Sequence, residues 1–251
     1  MVTRASTNKA SPRVYYSKIQ STSHASGSSP VGNPLSCLLR VVIILPALFA
    51  IILIGAEVQD IQAAKRPNTE SYYTGEIVCA AVEGDSQLSV FESEDKAHAS
   101  SGRVAHCGDC GSCSTRGDIA IYEKTKNTLT ATATSCALKV FTGGKAAVRA
   151  CFKDVVKLTG KCNKCWTDNV MCDLINCMFT CTKSLILGQS NNKGGTLNPC
   201  LFCDEHMCGP QFIECAGANR RRCGIVSDIG RDEAVEVCKR VDADWMVVLG
   251  P

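Results

Sequence analysis

The sequence predicts a mainly α, disulfide-rich domain of small helices behind one N-terminal transmembrane helix, with a minor short β element near residues 75–91. Three observations predict it. Residues 35–56 form a continuous apolar run with one charge, Arg40. Of 18 cysteines, 17 follow that run. Between those cysteines, apolar residues recur at helical spacing. Aromatic residues make up only 6% of the chain, so large side chains are scarce for a core. Bridging cysteines are the usual substitute.

Residues 1–34 are Ser-rich, broken by Gly27, Pro30, Gly32 and Pro34, and are expected to be a disordered cytosolic N-terminus. The run from Leu35 to Ala56 is long enough to cross the ~30 Å hydrocarbon layer as a helix. Arg40 lies close enough to its start for the guanidinium to reach the headgroups. Pro46 removes one hydrogen bond, which a membrane helix tolerates. A cleaved signal peptide would start nearer residue 1 and be shorter, so the run reads as a retained signal anchor.

Orientation comes from charge. Arg4, Lys9, Arg13, Lys18 and Arg40 are the charged residues of 1–56, and no acid accompanies them. Glu57 and Asp60 follow the run at once. The positive-inside tendency places residues 1–34 in the cytosol and the rest in the lumen or outside the cell. Disulfides persist in oxidising compartments, so cysteine placement gives the same topology independently. The Ser-rich, acid-free N-terminus and the lack of an N-x-Ser/Thr sequon leave a plastid or other organelle membrane as the alternative. Beyond residue 56 stand 22 basic and 24 acidic residues, a balance that argues against nucleic-acid binding.

Residues 57–71 read as a polar stalk, and 72–251 as the cysteine-rich domain. Within it, GEIVCAAVEGD and QLSVF suggest short strands, and residues 92–103 a polar loop. Helices are expected over about 118–141, 145–158, 168–187 and 231–241. Residues 188–199 read as loop, and 200–223 as turn-rich. The candidate bridging cysteines are Cys79, Cys107, Cys110, Cys113, Cys136, Cys151, Cys162, Cys165, Cys172, Cys177, Cys181, Cys200, Cys203, Cys208, Cys215 and Cys238.

Several motifs allow chemistry. Cys107-Gly-Asp-Cys110 and the overlapping CGSC could form a thiol–disulfide redox pair, with Cys107 and Cys110 as the reactive thiols. The strand and βαβ context that such a pair needs are not evident. His106 beside C-x2-C-x2-C also permits a Cys-ligated metal. Cys203-Asp-Glu-His206-Met-Cys208 sets a His among cysteines as secreted phospholipases do, but no Asp follows it and no Gly-rich calcium loop precedes it; His206 reads as a surface or capping residue. Arg116-Gly117-Asp118 matches an adhesion tripeptide and more simply opens a helix. Arg220-Arg221-Arg222 reads as a solvated turn or, functionally, a docking patch for an acidic partner or lipid headgroup. Ser-His-Asp, phosphate-loop, dinucleotide and zinc-protease signatures are absent. No catalytic or cofactor site is assigned, and the chain reads as a non-enzymatic structural or interaction domain with an unidentified protein partner.

The blocks NPCLFCDEHMCGPQFIECAGANRRRCGIVSDIGRD, HCGDCGSCSTRGDIAIYEKTKNTLT and CNKCWTDNVMCDLINCMFTC resemble uncharacterised cysteine-rich single-pass membrane proteins of diatoms and related algae, over about Cys107 to Val241. The resemblance carries no activity and no site residue. It implies that position 223 need not be cysteine. Seventeen cysteines cannot all pair within one chain, so Cys223 is the candidate unpaired thiol, or the link of a disulfide-bonded dimer.

Overall fold

The computed structural model describes residues 34–65 and 75–248. It is mainly helical with a few short strands. The chain divides into a unit ending at Ile43 and a larger one beginning at Ile44. The expected disordered segment 1–34 lies, but for Pro34, outside the described residues.

Helix α1 runs from Pro34 to Lys65 with Pro46 inside. At 1.5 Å per residue it is about 48 Å long, so it exceeds the ~30 Å of hydrocarbon it could cross. Ile44, Leu45, Leu48, Phe49, Ile51 and Ile54 are exposed, whereas Ala56, Gln59 and Ala63 are buried. Those three lie at helical spacing on one face, which docks on the domain. Residues 57–65, expected as stalk, are therefore helix. Good helix formers continue past Ala56 without a breaker until Pro67, and the segment gains tertiary contacts. The rest of the expected stalk lies outside the described residues.

Strands β1 (Val78–Val82), β2 (Leu88–Phe91) and β3 (Gly102–Cys107) form an antiparallel sheet in the order β2-β1-β3. The segment 92–103, expected as loop, contains helix α2 (Glu94–Ala99) and the start of β3. Ser93 caps α2 by accepting from the Lys96 N–H. Ala97 of α2 packs with Val78, Ala80 and Val104 on one face of the sheet. Ala81 and Ala105 belong to the main helical core. This alternation follows from the two-residue strand period.

Helices α3 (Arg116–Lys124), α4 (Leu129–Ala137) and α5 (Val140–Cys151) replace the single expected helix over 118–141. Gly143 and Gly144 leave helical geometry within α5, with Gly144 at φ 62°, a conformation that glycine adopts without strain. A π-helical turn, Phe152–Val156, ends at Lys157 in the left-handed region. Helices α6 (Gly160–Asn176) and α7 (Met178–Ile186) follow. The expected loop after them holds a two-residue hairpin, β4 (Asn192–Lys193) and β5 (Thr196–Leu197). The expected turn-rich stretch holds helices α8 (Pro199–Met207) and α9 (Gly209–Ala216). Pro199 and Pro210 each sit in a first turn, where a missing N–H costs nothing. Short helices α10 (Glu233–Glu236) and α11 (Trp245–Val248) complete the described chain, so the helix expected over 231–241 shrinks to one turn.

Candidate functional site: a disulfide ladder and its cavity

Eight disulfides join the sixteen bridged cysteines among the described residues. Four of them are nested: Cys165–Cys215, Cys172–Cys208, Cys177–Cys203 and Cys181–Cys200. They tie the arm α6–α7 to the arm α8–α9 as successive rungs of an antiparallel hairpin.

The register is written in the spacing. Along the first arm the cysteines are separated by seven, five and four residues, and along the second by three, five and seven. At about 100° per residue, steps of three, four and seven keep a side chain near one helix face, while a step of five turns it about 140° away. Both arms break within their five-residue step. The first breaks at Cys177 (φ −127°) between α6 and α7, and the second at Cys208 (φ −116°) between α8 and α9. Each break returns the next cysteine to the facing side.

The other four bridges fix the remainder. Cys79–Cys110 and Cys107–Cys238 tie the sheet to the CGDC loop and to the C-terminal segment. Cys113–Cys162 joins that loop to the first turn of α6, and Cys136–Cys151 clamps α4 to α5. Cys107 and Cys110 are thus bonded to different partners, as are Cys110 and Cys113. The redox reading of this motif meets sulfurs that are not joined to one another.

His106 is fully buried beside this loop. The Gly111 N–H donates to Ser114 Oγ at 2.7 Å, Ser114 Oγ lies 2.8 Å from His106 Nε2, and His106 Nδ1 lies 3.0 Å from the Cys107 carbonyl. A carbonyl only accepts, so Nδ1 carries the proton and the Ser114 hydroxyl donates to Nε2. Burial pushes the imidazole down to about 4. Cys79, His106 and Cys110 lie close enough to suggest a metal, as do Asp173, Cys177 and Cys208. In both groups the cysteines are already disulfide-bonded and offer no thiolate.

The loop is held against the end of α9 by glycines. A Cβ on Gly217, which has φ 66°, would lie 2.2 Å from the Gly111 nitrogen. The approach lets Ser112 N–H donate to Cys215 O and Cys113 N–H to Ala216 O.

The arginine run is buried, contrary to the solvated-turn reading: Arg220, Arg221 and Arg222 are 8, 7 and 6% exposed. Arg220 pairs with Asp228 at 2.6 Å and donates to Lys126 O and Thr130 Oγ1. Arg221 pairs with Glu205, and Arg222 donates to Gly217 O. The turn knits three parts of the domain together, which leaves it unsuited to docking a partner. Asp118 of the Arg-Gly-Asp tripeptide is also fully buried, accepting from Thr115 and Thr159. Adhesion through that carboxylate would require opening α3. His206 lies on α8, stacked on Phe202 and bonded to its carbonyl. Cys223 has a free, buried thiol, 6% exposed, that burial pushes up. An interchain bridge at Cys223 would need the core around it to part.

Beside the ladder lies a cavity of about 370 Å³. Trp166, Val170, Leu174 and Phe212 give it an apolar wall. Tyr122 accepts from Trp166 Nε1–H at 2.9 Å and sets that ring. Two carboxyls, Asp173 and Asp204, line the cavity from opposite arms, within the same five-residue step. Burial, then the Asp204 charge, raises Asp173 well above the usual range. Burial, then the Glu205 charge, raises Asp204. Asn169 donates to Asp204 at 2.9 Å. The sequence reading missed this pair. The signal was available: each Asp directly follows a ladder cysteine at the start of a five-residue step.

Fold and site together define a disulfide-laddered helical domain carried on an apolar helix. The chain is similar, over residues 145–240, to a family of unknown function (DUF8771). That span includes the whole ladder and the arginine turn and excludes the sheet. No curated protein and no solved structure matches the chain.

Proposed function

We propose that this protein is a membrane-tethered interaction domain, anchored by residues 35–56, with residues 72–251 on the oxidising side of the membrane. One observation carries the reading. The exposed apolar stretch Ile44–Ile54 passes without a break into a helical end docked on the disulfide ladder. Gln59 Oε1 accepts from the Phe179 and Thr180 N–H groups at 2.9 and 3.1 Å, capping α7 from another helix. Thr180 Oγ1 donates to Asp60 at 2.9 Å. The anchor therefore holds the domain rigidly rather than on a loose tether.

Two further features support it. The basic residues before the run favour that orientation. The eight disulfides among the described residues fit an oxidising compartment. The test is a chain tagged at both ends and expressed with sealed microsomes. After carbonate extraction it should stay in the membrane pellet, and added protease should remove the N-terminal tag alone. A chain released by carbonate, or a C-terminal tag cleaved in sealed vesicles, would overturn the proposal.

A further inference from the structure

The cavity beside the ladder carries hydrogen-bonding atoms that its own walls do not use. Asn169 Oδ1, Asp173 Oδ1 and Ser184 Oγ are each buried and have no partner among the described residues. All three residues line the cavity. Ser184 is itself only 5% exposed. Native interiors leave few polar atoms orphaned, because each one costs the desolvation of the group. Three on the wall of one cavity mark it as a place where a polar ligand group would find partners. Asn169 and Asp173 stand four residues apart on one face of α6, and Ser184 comes from α7.

The orphans share a chemistry. Two are pure acceptors and the third is a hydroxyl that can accept. They call for a donor, and a primary ammonium has three N–H donors and no acceptor. Burial and the neighbouring Asp204 raise the Asp173 carboxyl, and a cation beside it would offset both. The rest of the wall combines apolar side chains, Trp166, Val170, Leu174 and Phe212, with polar ones in which Arg220 is paired with Asp228 and Arg221 and Arg231 with Glu205, and the mouth is flanked by the exposed side chains of Leu138, Phe141 and Leu185. At about 370 Å³ the space falls within the ~300–1,000 Å³ of small-molecule pockets.

We propose that this cavity is a binding site for an amphiphilic primary amine, its ammonium held by Asn169, Asp173 and Ser184 and its hydrocarbon chain lying along Trp166, Leu174 and Phe212. Asp204 positions Asp173 from the opposite arm. The site is independent of the membrane reading and would exist in a soluble form of the domain.

The full chain in lipid nanodiscs is titrated with octylamine, octanol and octanoate, which share a chain and differ in head group. Trp166 reports occupancy through tryptophan fluorescence, with empty discs as blank. Octylamine should saturate at a concentration lower by on the order of tenfold or more than either of the others, the value of a charge-assisted hydrogen-bond set. Asp173→Asn and Ser184→Ala should each weaken octylamine and leave octanol unchanged. If Asp173→Asn fails to fold by circular dichroism, Ser184→Ala and the head-group ranking decide. Octanol binding as tightly as octylamine, no saturation by octylamine, or an octylamine midpoint unmoved by every folded variant would each overturn the proposal.

Discussion

His106 illustrates how a single buried base sets a pH limit on this fold. Its ring is fully buried, and burial disfavours the charged imidazolium even though both nitrogens have partners. In the unfolded chain it protonates near 6.5, while in the folded chain it stays neutral down to about 4. Between those values the unfolded state binds more protons, so stability falls as pH falls. The loss approaches about 3 kcal/mol at the lower end of the window. His106→Asn should remove that slope, and denaturant midpoints of both proteins at pH 7 and pH 4.5 measure it. A slope equal in the two would show that other groups carry the acid sensitivity. Cys223 behaves oppositely: burial keeps it a thiol and withdraws it from exchange with the bridges around it.

At the level of elements, the ladder explains how weak helices persist. α8 and α9 are 9 and 8 residues long, too short to be stable alone in water. Each rung fixes one turn of one arm to one turn of the other. A bridge closing a loop of this size alone would contribute ~3 kcal/mol, mostly by restricting the unfolded chain. With neighbouring rungs already closed, less freedom remains to remove, so Cys181→Ser combined with Cys200→Ser should cost roughly 2 kcal/mol. The three remaining rungs should keep their pairing, because helix faces and the two breaks set the register. Denaturant melts and disulfide mapping of that variant check both points. Scrambled pairing would mean that the innermost rung, rather than the helices, imposes the register.

For the molecule as a whole, the class was legible and the arrangement was not. Composition and the apolar run announced a helical, cysteine-rich chain behind an apolar helix, because both signals are local. The helix expected over 145–158 likewise formed, though its end is a π turn. Strand β3 escaped because its pairing with β1 is long-range, and its residues Gly102–Cys107 are polar at the start. The helices α8 and α9 escaped because cysteine density resembles turn density, and because a five-residue step breaks the period that marks a helix. The buried arginines escaped because only tertiary partners reveal that a charge run faces inward. The cavity escaped for the same reason, since its two acids Asp173 and Asp204 come from opposite arms.

The central claim is therefore the mirrored register of the four rungs. It is tested most directly by peptide mass spectrometry of the full chain, digested without reductant after alkylation under unfolding conditions. The account predicts cross-linked peptides for Cys165–Cys215, Cys172–Cys208, Cys177–Cys203 and Cys181–Cys200. It also predicts that alkylation among residues 75–248 falls on Cys223 alone. Local pairs such as Cys200–Cys203 or Cys162–Cys165, or a labelled cysteine of the ladder, would contradict it.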